Sequence, residues 1–286
     1  MVEATLGSQD TAARPPLPRG KSLDLTRQPG FGTIAIFCLA VLYAPIFVLV
    51  AYSFNGVRSV SKLSGFSLEW YARALANEDM LDAAINTLQV GIVATLASTI
   101  IATAAALATT RTRPWRGMAS SYMVVNLPLM VPEIVTAVAT LIFFALLAST
   151  LGIGLGIGNL MIAHTVFCIP FAYLPIRARL EDMDLTLEQA AADLYATPWQ
   201  AFRRVTLPLL APGITAGATL AFVVSFDDFT ITQLVAGPGQ STLPIYIWTS
   251  LRRGISPEIN AMSSILLGVS VLLVTSSFVI AHRRRI

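Results

Sequence analysis

The sequence of 286 residues is 55% hydrophobic and only 12% charged, and its mean hydropathy is +0.69. Soluble domains carry about 25% charged residues, so this composition excludes an ordinary soluble globular protein and predicts a chain that crosses a membrane several times. Lysine and arginine outnumber the acids by only 19 to 16, an excess too small to indicate nucleic-acid binding. The two cysteines, Cys38 and Cys168, lie within apolar runs and predict neither a disulfide nor a metal site.

The first 28 residues are rich in proline, arginine and serine and show no apolar period. Such a segment cannot bury enough apolar surface to fold, so residues 1–28 are predicted to be a disordered cytoplasmic tail. The apolar run that follows is long enough to span a bilayer, and no cleavable signal is predicted. Residues 29–286 are predicted to form one transmembrane domain.

Six apolar stretches are predicted to cross the membrane as helices. They cover residues 31–54, 84–110, 118–148, 159–174, 207–235 and 259–281. Pro128 and Pro132 interrupt the third stretch, because proline removes a backbone donor and kinks a helix. The predicted fold class is therefore an all-α membrane protein with six transmembrane helices.

Basic residues predict how the chain is oriented in the membrane. With the amino terminus inside, fourteen of the nineteen basic residues fall on the cytoplasmic side and five outside. This distribution satisfies the positive-inside preference. Both termini and a charged loop at about 177–206 are then predicted to face the cytoplasm.

The cytoplasmic loop is amphipathic and bears charge in a chain otherwise poor in charge. Asp184 or Thr186 can cap a short helix, and Glu188 then falls in the first turn, where the helix dipole favours an acid. Pro198 is tolerated at the start of a second short helix. The pattern predicts two short helices joined near Tyr195.

Two large apolar side chains, Trp199 and Phe202, follow in the second of these helices. Exposed apolar groups of this size commonly mark a docking surface. Alternatively, both side chains pack on the cytoplasmic ends of neighbouring membrane helices. The residues alone leave these two interpretations open.

The loop resembles the cytoplasmic coupling loop of ATP-binding-cassette (ABC) importer permeases. The family pattern is Glu-Ala-Ala, three residues, Gly, nine residues and Ile-x-Leu-Pro, and here it covers Gln189-Ala190-Ala191, Tyr195 and Val205-Thr206-Leu207-Pro208. Gln189 stands where the family has Glu, with Glu188 one residue earlier, and Tyr195 stands where it has Gly. Because a bulky residue is disfavoured at positive φ, we expect a turn with negative φ or a helix that continues through Tyr195.

This resemblance implies the type I ABC importer permease fold and a subunit without catalytic residues, cofactor or metal of its own. It also implies that the loop couples the chain to a cytoplasmic ATPase. The residues that would do so are Glu188, Gln189, Ala190, Ala191, Asp193, Tyr195, Trp199, Phe202 and Arg203.

Three acids lie within predicted spans: Glu133 in the third, and Asp227 and Asp228 in the fifth. An ionised side chain at membrane depth is costly unless it is paired or hydrated, and no Lys or Arg lies in a span to neutralise these three. Either neighbouring polar groups satisfy them, or they face a watery path and meet a cation from outside the chain. Adjacent helical residues point about 100° apart, so Asp227 and Asp228 cannot share one face. His164 is expected to be a core residue of the fourth span.

The fifth and sixth spans resemble the spermidine/putrescine branch of these permeases, specifically its second permease subunit. The stretches that carry the resemblance are Ser225-Phe226-Asp227-Asp228, Leu243-Pro244-Ile245 and Ser256-Pro257-Glu258-Ile259-Asn260-Ala261. The similarity extends over about residues 84–283. It implies uptake of polyamines, whose positive charges fit a substrate path lined by Glu133, Asp227 and Asp228.

The family further implies the partners and the location of the chain. The partners are a second homologous permease, two copies of a cytoplasmic ATP-binding subunit and an extracytoplasmic solute-binding protein, in the lipid of a bacterial inner membrane. Nucleic acid is not among them. Alternative functions are import of opines, amino-acid-like compounds or phosphonates, and ion-coupled secondary transport with the acids as proton carriers. A membrane enzyme is disfavoured because no loop offers a catalytic constellation.

Overall fold

The computed structural model describes residues 30–58, 62, 64–112, 115–152, 154–254 and 256–283. The tail predicted for residues 1–28 lies outside these described residues. Within them the chain is mainly α-helical, with one isolated β-bridge between Asn55 and Phe66. Six helices in the described ranges are long and apolar enough to cross a membrane, which confirms the predicted fold class.

The helices of the described residues are numbered here in chain order. They are α1 (Phe31–Ser53), α2 (Glu69–Ala76), α3 (Glu78–Thr110), α4 (Met118–Met130), α5 (Glu133–Leu151), α6 (Gly158–Glu181), α7 (Thr186–Asp193), α8 (Pro198–Ala201), α9 (Leu207–Phe226), α10 (Thr230–Val235), α11 (Leu243–Arg253) and α12 (Pro257–Arg283). A π-helical turn, Phe202–Thr206, joins α8 to α9 without a break. Among the described residues, those up to Val48 form one compact unit and those from Leu49 onward form a second, which contains every site described below.

The core of the second unit is built around α6, which packs against α3 and α9. Its buried side chains include Leu160, Phe167 and Tyr173 of α6. Small residues allow these helices to approach closely. At Gly217 of α9, a Cβ atom would lie only 2.6 Å from the carbonyl oxygen of Ala172 in α6. The packing therefore depends on a glycine at this contact.

Two spans extend further than the sequence predicted. α3 begins at Glu78 because the side chain of Asn77 accepts a hydrogen bond from the Met80 amide at 3.1 Å and caps the helix. α6 continues to Glu181 through Pro170 and Pro175. Each proline removes one backbone hydrogen bond, but burial of α6 between its neighbours holds the helix together.

The third span is broken where proline was expected to break it. α4 ends at Met130, and α5 begins at Glu133 directly after Pro132. Pro128, by contrast, is accommodated inside α4. The break brings the carboxylate of Glu133 to the first turn of α5, next to the amides that a new helix leaves free.

The fifth span is also broken, and the expectation of one continuous helix over residues 207–235 is wrong. α9 ends at Phe226 and α10 begins at Thr230. The Asp228 carboxylate accepts hydrogen bonds from the amides of Ile231 at 3.3 Å and Thr232 at 3.0 Å. Asp228 thus satisfies donors at the start of α10, as an N-capping residue does, and makes a new helix possible here.

A second, smaller core lies where α2 and α11 pack against the ends of α3 and α12. Trp70 is buried there, and its Nε1 donates a hydrogen bond to the backbone oxygen of Asn55 at 2.6 Å. On α3, Thr87 accepts a hydrogen bond from the Leu243 amide at 2.7 Å and so fixes the start of α11. These contacts anchor two short amphipathic helices on one end of the helical body.

Candidate functional site

A buried polar cluster joins α6, α9 and α10 within the apolar core. The imidazole of His164 lies at its centre and is 1% exposed. Its Nδ1 is 2.9 Å from the hydroxyl of Ser225, and its Nε2 is 2.9 Å from the hydroxyl of Thr232. Nε2 also lies 3.3 Å from Oδ2 of Asp228. His164 is a core residue, as predicted, but its contact with Asp228 was missed.

The Asp228 carboxylate is satisfied by groups of the same chain. It is buried, and besides the two backbone amides it accepts a hydrogen bond from the hydroxyl of Thr232 at 3.0 Å. Burying a carboxylate is tolerable when hydrogen bonds and an opposite charge compensate for lost water. The signal that could have identified this contact was the position of His164, a polar and titratable side chain within a span, in a chain whose other spans contain acids that need partners.

The side chains of the other two acids, Glu133 and Asp227, are exposed. Glu133 is exposed in the first turn of α5, where its side chain contacts those of Asp228 and Thr230. Asp227 is exposed just after the last turn of α9. Asp227 and its buried neighbour Asp228 therefore have different surroundings, but the break between α9 and α10 separates them and not the helical geometry on which the prediction relied. The structure brings Glu133 to Asp228 and leaves Asp227 free to meet a group from outside the chain.

The three acids form a negatively charged group around the start of α5 and the break between α9 and α10. Two exposed carboxylates flank a buried one, and the cluster's basic neighbour is His164, which is held by two hydroxyl groups. Within the described ranges, no group of three His, Cys, Asp or Glu residues could hold a metal ion. The site therefore presents two exposed carboxylates beside the core, and their charge is complementary to that of a cation.

The two short helices predicted for the charged loop at about 177–206 are present as α7 and α8. Before α7, Oδ1 of Asp184 accepts a hydrogen bond from the Thr186 amide at 2.9 Å, which lowers the pKa of the Asp184 carboxyl. Before α8, the side chain of Thr197 accepts from the Gln200 amide while the Gln200 side chain accepts from the Thr197 amide. This reciprocal capping box fixes the start of the second helix. Residues 184–206 are called the α7–α8 hairpin below.

Tyr195 corrects one expectation about this hairpin. Its φ is +59°, in the left-handed region, so neither a turn with negative φ nor a helix through Tyr195 is formed. The amide of Ala196 donates to the Ala191 oxygen at 3.1 Å, and the amide of Tyr195 donates to the Ala192 oxygen at 2.9 Å. These two bonds define a Schellman motif, which satisfies the last carbonyls of α7 and requires a left-handed residue where Tyr195 stands.

Glu188 braces α7 against the rest of the chain. Its Oε1 accepts a hydrogen bond from the hydroxyl of Thr206 at 3.0 Å. The same oxygen lies 3.4 Å from Nε of Arg111, directly after α3. Glu188 is half-buried, whereas the adjacent Gln189 is exposed. Glu188 therefore holds the hairpin to the helical body, whereas the side chain of Gln189 is exposed on the surface of the chain.

The outer face of the α7–α8 hairpin carries large apolar side chains. Tyr195 is 95% and Trp199 66% exposed. The rings of Trp199 and Phe202 are in contact, with centroids 5.6 Å apart and planes tilted by 31°, and Phe202 is half-buried. Other hairpin residues exposed on this chain include Gln189, Ala190, Asp193, Leu194 and Arg203, whereas Ala191 is half-buried.

Residues 83–284 match the family model for binding-protein-dependent transport system inner membrane components. The chain is 36% identical over 249 residues to the putrescine transport system permease protein PotI of Escherichia coli (strain K12), covering 86% of this chain and 89% of that protein. It is also 36% identical over 243 residues to the spermidine/putrescine transport system permease protein PotC of the same strain, covering 85% of this chain and 90% of PotC.

Solved structures share the fold. A chain of the bacterial alginate ABC transporter in complex with an alginate pentasaccharide-bound periplasmic protein superposes with a TM-score of 0.67 at 16% identity, covering 88% of this chain and 92% of that chain. A chain of the inward-facing MetNI methionine ABC transporter gives a TM-score of 0.60 at 20% identity, covering 73% of this chain and 99% of that chain. These likenesses confirm the fold predicted for a type I ABC importer permease.

Proposed function

Because this chain belongs to the binding-protein-dependent transport system inner membrane components, we propose that it is the permease subunit through which an ABC importer moves polyamines into the cytoplasm. Two relatives that are 36% identical over most of its length are permeases for putrescine and for spermidine/putrescine. Both compounds are organic polycations. The observation that carries the proposal is the pair of open carboxylates, Glu133 and Asp227, at the edge of the buried His164–Asp228 cluster.

In this proposal the three acids have different tasks in the substrate path. Asp227 and Glu133 are exposed and meet the ammonium groups of the substrate directly. Asp228 is buried and does not touch the substrate, but it adds negative charge next to Glu133, which it contacts. His164 and the start of α10 hold Asp228 in place. A path with negative charge attracts a polycation and offers no favourable site to an anion.

The energy for transport comes from a partner ATPase subunit, because this chain provides the passage for the substrate and is not itself an enzyme. Two copies of a cytoplasmic ATP-binding subunit dock on the outer face of the α7–α8 hairpin, with Trp199 and Phe202 as apolar anchors. The polar and small residues of α7, Gln189, Ala190, Ala191 and Asp193, and the exposed Tyr195 and Arg203 surround these anchors. Glu188 supports the surface from the inner side through Thr206 and Arg111.

A single helix links the docking surface to the acids. α8, the π-helical turn and α9 run as one helix from Pro198 to Phe226, a span of 29 residues. At 1.5 Å rise per residue this helix is about 43 Å long. It begins beside Trp199 and ends immediately before Asp227. Movement of the hairpin when the ATPases close would therefore shift the acid cluster directly, as in a rigid-body transition.

The remaining parts of the importer follow from the same assignment. A second homologous permease completes the path, and an extracytoplasmic solute-binding protein delivers the substrate. The chain lies in the inner membrane of a bacterium with both termini in the cytoplasm, which the excess of basic residues on that side supports.

Uptake by the reconstituted importer tests the proposal. The complete complex is placed in proteoliposomes with ATP inside and loaded solute-binding protein outside, and entry of labelled putrescine and spermidine is measured. We expect ATP-dependent uptake by the wild type and strongly reduced uptake by Asp227→Asn and Glu133→Gln. Glu181→Gln removes an exposed acid at the end of α6 and serves as the matched control. Full uptake by both path variants in an assembled complex would contradict the cationic path.

A further inference from the structure

We propose that Trp248 forms an aromatic subsite for the cationic substrate beside the acid cluster. This inference rests on the proposed polycation import and extends it to a residue on α11. Trp248 is 45% exposed, whereas Trp70, in the smaller core where α2 and α11 pack, is buried and hydrogen-bonded to the backbone. An indole that is open on one face is available to bind a cation.

The indole of Trp248 is connected to the acid cluster by one aromatic contact. Its ring lies 5.5 Å from that of Phe229, at an interplanar angle of 61°. Phe229 follows Asp228 directly in the break between α9 and α10. Since consecutive Cα atoms are 3.8 Å apart, the Cα atoms of Phe229 and the exposed Asp227 are separated by about 7.6 Å at most. The ring and the open carboxylate therefore flank the same break.

The face of the indole already holds a cation of the same chain. The guanidinium carbon of Arg252 lies 5.4 Å from the centroid of the Trp248 ring. A cation within about 6 Å of an aromatic centroid is attracted by the ring quadrupole, and tryptophan provides the strongest such site. Arg252 is exposed and can swing away, because its side chain is long and flexible. It occupies a position that a substrate ammonium group can take over.

A polyamine can use both features at once because its charges are separated by a carbon chain. One ammonium group pairs with the Asp227 carboxylate, and another lies on Trp248 in place of the Arg252 guanidinium. Arg252 thus competes with the substrate for the ring. The subsite favours substrates with two separated positive charges over those with a single charge.

If Trp248 instead anchored α11 at the membrane interface, substitutions at this position would give a different order of uptake rates. Tryptophan and tyrosine are enriched at membrane interfaces, where phenylalanine is a poorer replacement because it lacks a polar tip. A membrane anchor at position 248 would therefore tolerate tyrosine much better than phenylalanine. A cation subsite accepts both rings at similar, reduced strength. Comparing Trp248→Tyr with Trp248→Phe separates the two roles.

The experiment uses the assembled importer in proteoliposomes with loaded solute-binding protein at saturation, and it measures initial uptake of putrescine and spermidine. We expect Trp248→Leu to lower the rate about two- to fivefold, as loss of an exposed cation–π contact implies. Trp248→Phe and Trp248→Tyr should have equal, intermediate rates. Arg252→Gln should raise the rate because it leaves the ring to the substrate. Trp115→Leu, which changes a 48% exposed indole elsewhere, is the matched control and should have no effect.

Two results would overturn the subsite while leaving the proposed function intact. One is wild-type uptake by Trp248→Leu, and the other is a rate for Trp248→Tyr far above that for Trp248→Phe. A fall in uptake with Arg252→Gln would also contradict the competition between Arg252 and the substrate. Failure of the wild-type importer to take up either amine would instead reject the polyamine function itself.

Discussion

His164 is the side chain on which the buried charge of Asp228 depends. Removing a hydrogen-bonding neighbour from a buried charged group leaves that group poorly satisfied, which costs about 1–3 kcal/mol or more. We expect His164→Leu to lower the melting temperature of the detergent-purified importer and its yield of monodisperse complex. The double variant His164→Leu/Asp228→Asn should recover most of that loss, because the buried charge is gone and the single side-chain oxygen of Asn can still accept a hydrogen bond from the Thr232 amide.

The matched control for this pair is Cys168→Ala on the same helix. Cys168 is equally buried but carries no charge, and its thiol lies 3.4 Å from the oxygen of Ala221. Its loss should cost far less than His164→Leu. If the double variant melts as low as His164→Leu alone, the imidazole stabilises the core by shape and not by charge.

A second prediction for a single residue concerns the backbone conformation of Tyr195. A residue other than glycine in the left-handed conformation costs about 1–2 kcal/mol, since its Cβ crowds the following carbonyl. We expect Tyr195→Gly to slow amide hydrogen exchange in α7 by relieving this cost. Tyr195→Ala retains a Cβ atom at φ +59° and should give no such protection. Equal protection in both variants would show that the tyrosine ring, and not the backbone, limits the stability of the hairpin.

At the scale of helices, the contact between α6 and α9 depends on Gly217. A Cβ atom there would lie 2.6 Å from the Ala172 oxygen and 3.1 Å from the Ile176 side chain. The backbone oxygen cannot move without shifting α6, so Gly217→Ala should destabilise the protein by about 1–3 kcal/mol, as overpacking does. The melting temperature of the purified protein measures this effect.

Gly268 on α12 provides the control for the helix contact. A Cβ atom at this position would have no heavy atom within 4 Å. Gly268→Ala should therefore leave the melting temperature unchanged or raise it slightly, because alanine favours the helical state more than glycine does. An equal fall in both variants would mean that the close approach of α9 to α6 does not matter for stability.

The helices also show what a linear sequence can and cannot predict. The spans were predictable because long apolar runs between charged segments leave few alternatives. The break at Asp227–Phe229 was not, since apolar residues continue on both sides and conceal a local capping carboxylate. The left-handed Tyr195 was missed because steric preference opposes it, and two backbone hydrogen bonds of the Schellman motif outweigh that preference.

For the candidate site, the sequence identified the acids but not their environment. Glu133, Asp227 and Asp228 were recognisable as charges in apolar surroundings. Which of the neighbouring aspartates is open depends on the packing of α10 against α5 and α6, and that packing has no local signature. The pairing of His164 with Asp228 likewise joins segments that are distant in the chain.

On the scale of the whole molecule, we propose that the chain forms a passage for the substrate and that a partner ATPase drives its movement. One end of a continuous helix from Pro198 to Phe226 carries the exposed α7–α8 hairpin, and the other end leads to the acids. In this proposal an ATPase subunit binds the α7–α8 hairpin, and the continuous helix transmits the movement of the hairpin to the acids.

Site-specific photo-crosslinking in the assembled importer tests this claim most directly. A photoreactive amino acid is placed at position 199 in the hairpin or at position 96, where Leu96 is 60% exposed on the spanning helix α3. We expect a nucleotide-dependent adduct with the ATPase subunit from position 199 and none from position 96. A functional complex that gives lipid adducts but no ATPase adduct from position 199 would contradict it.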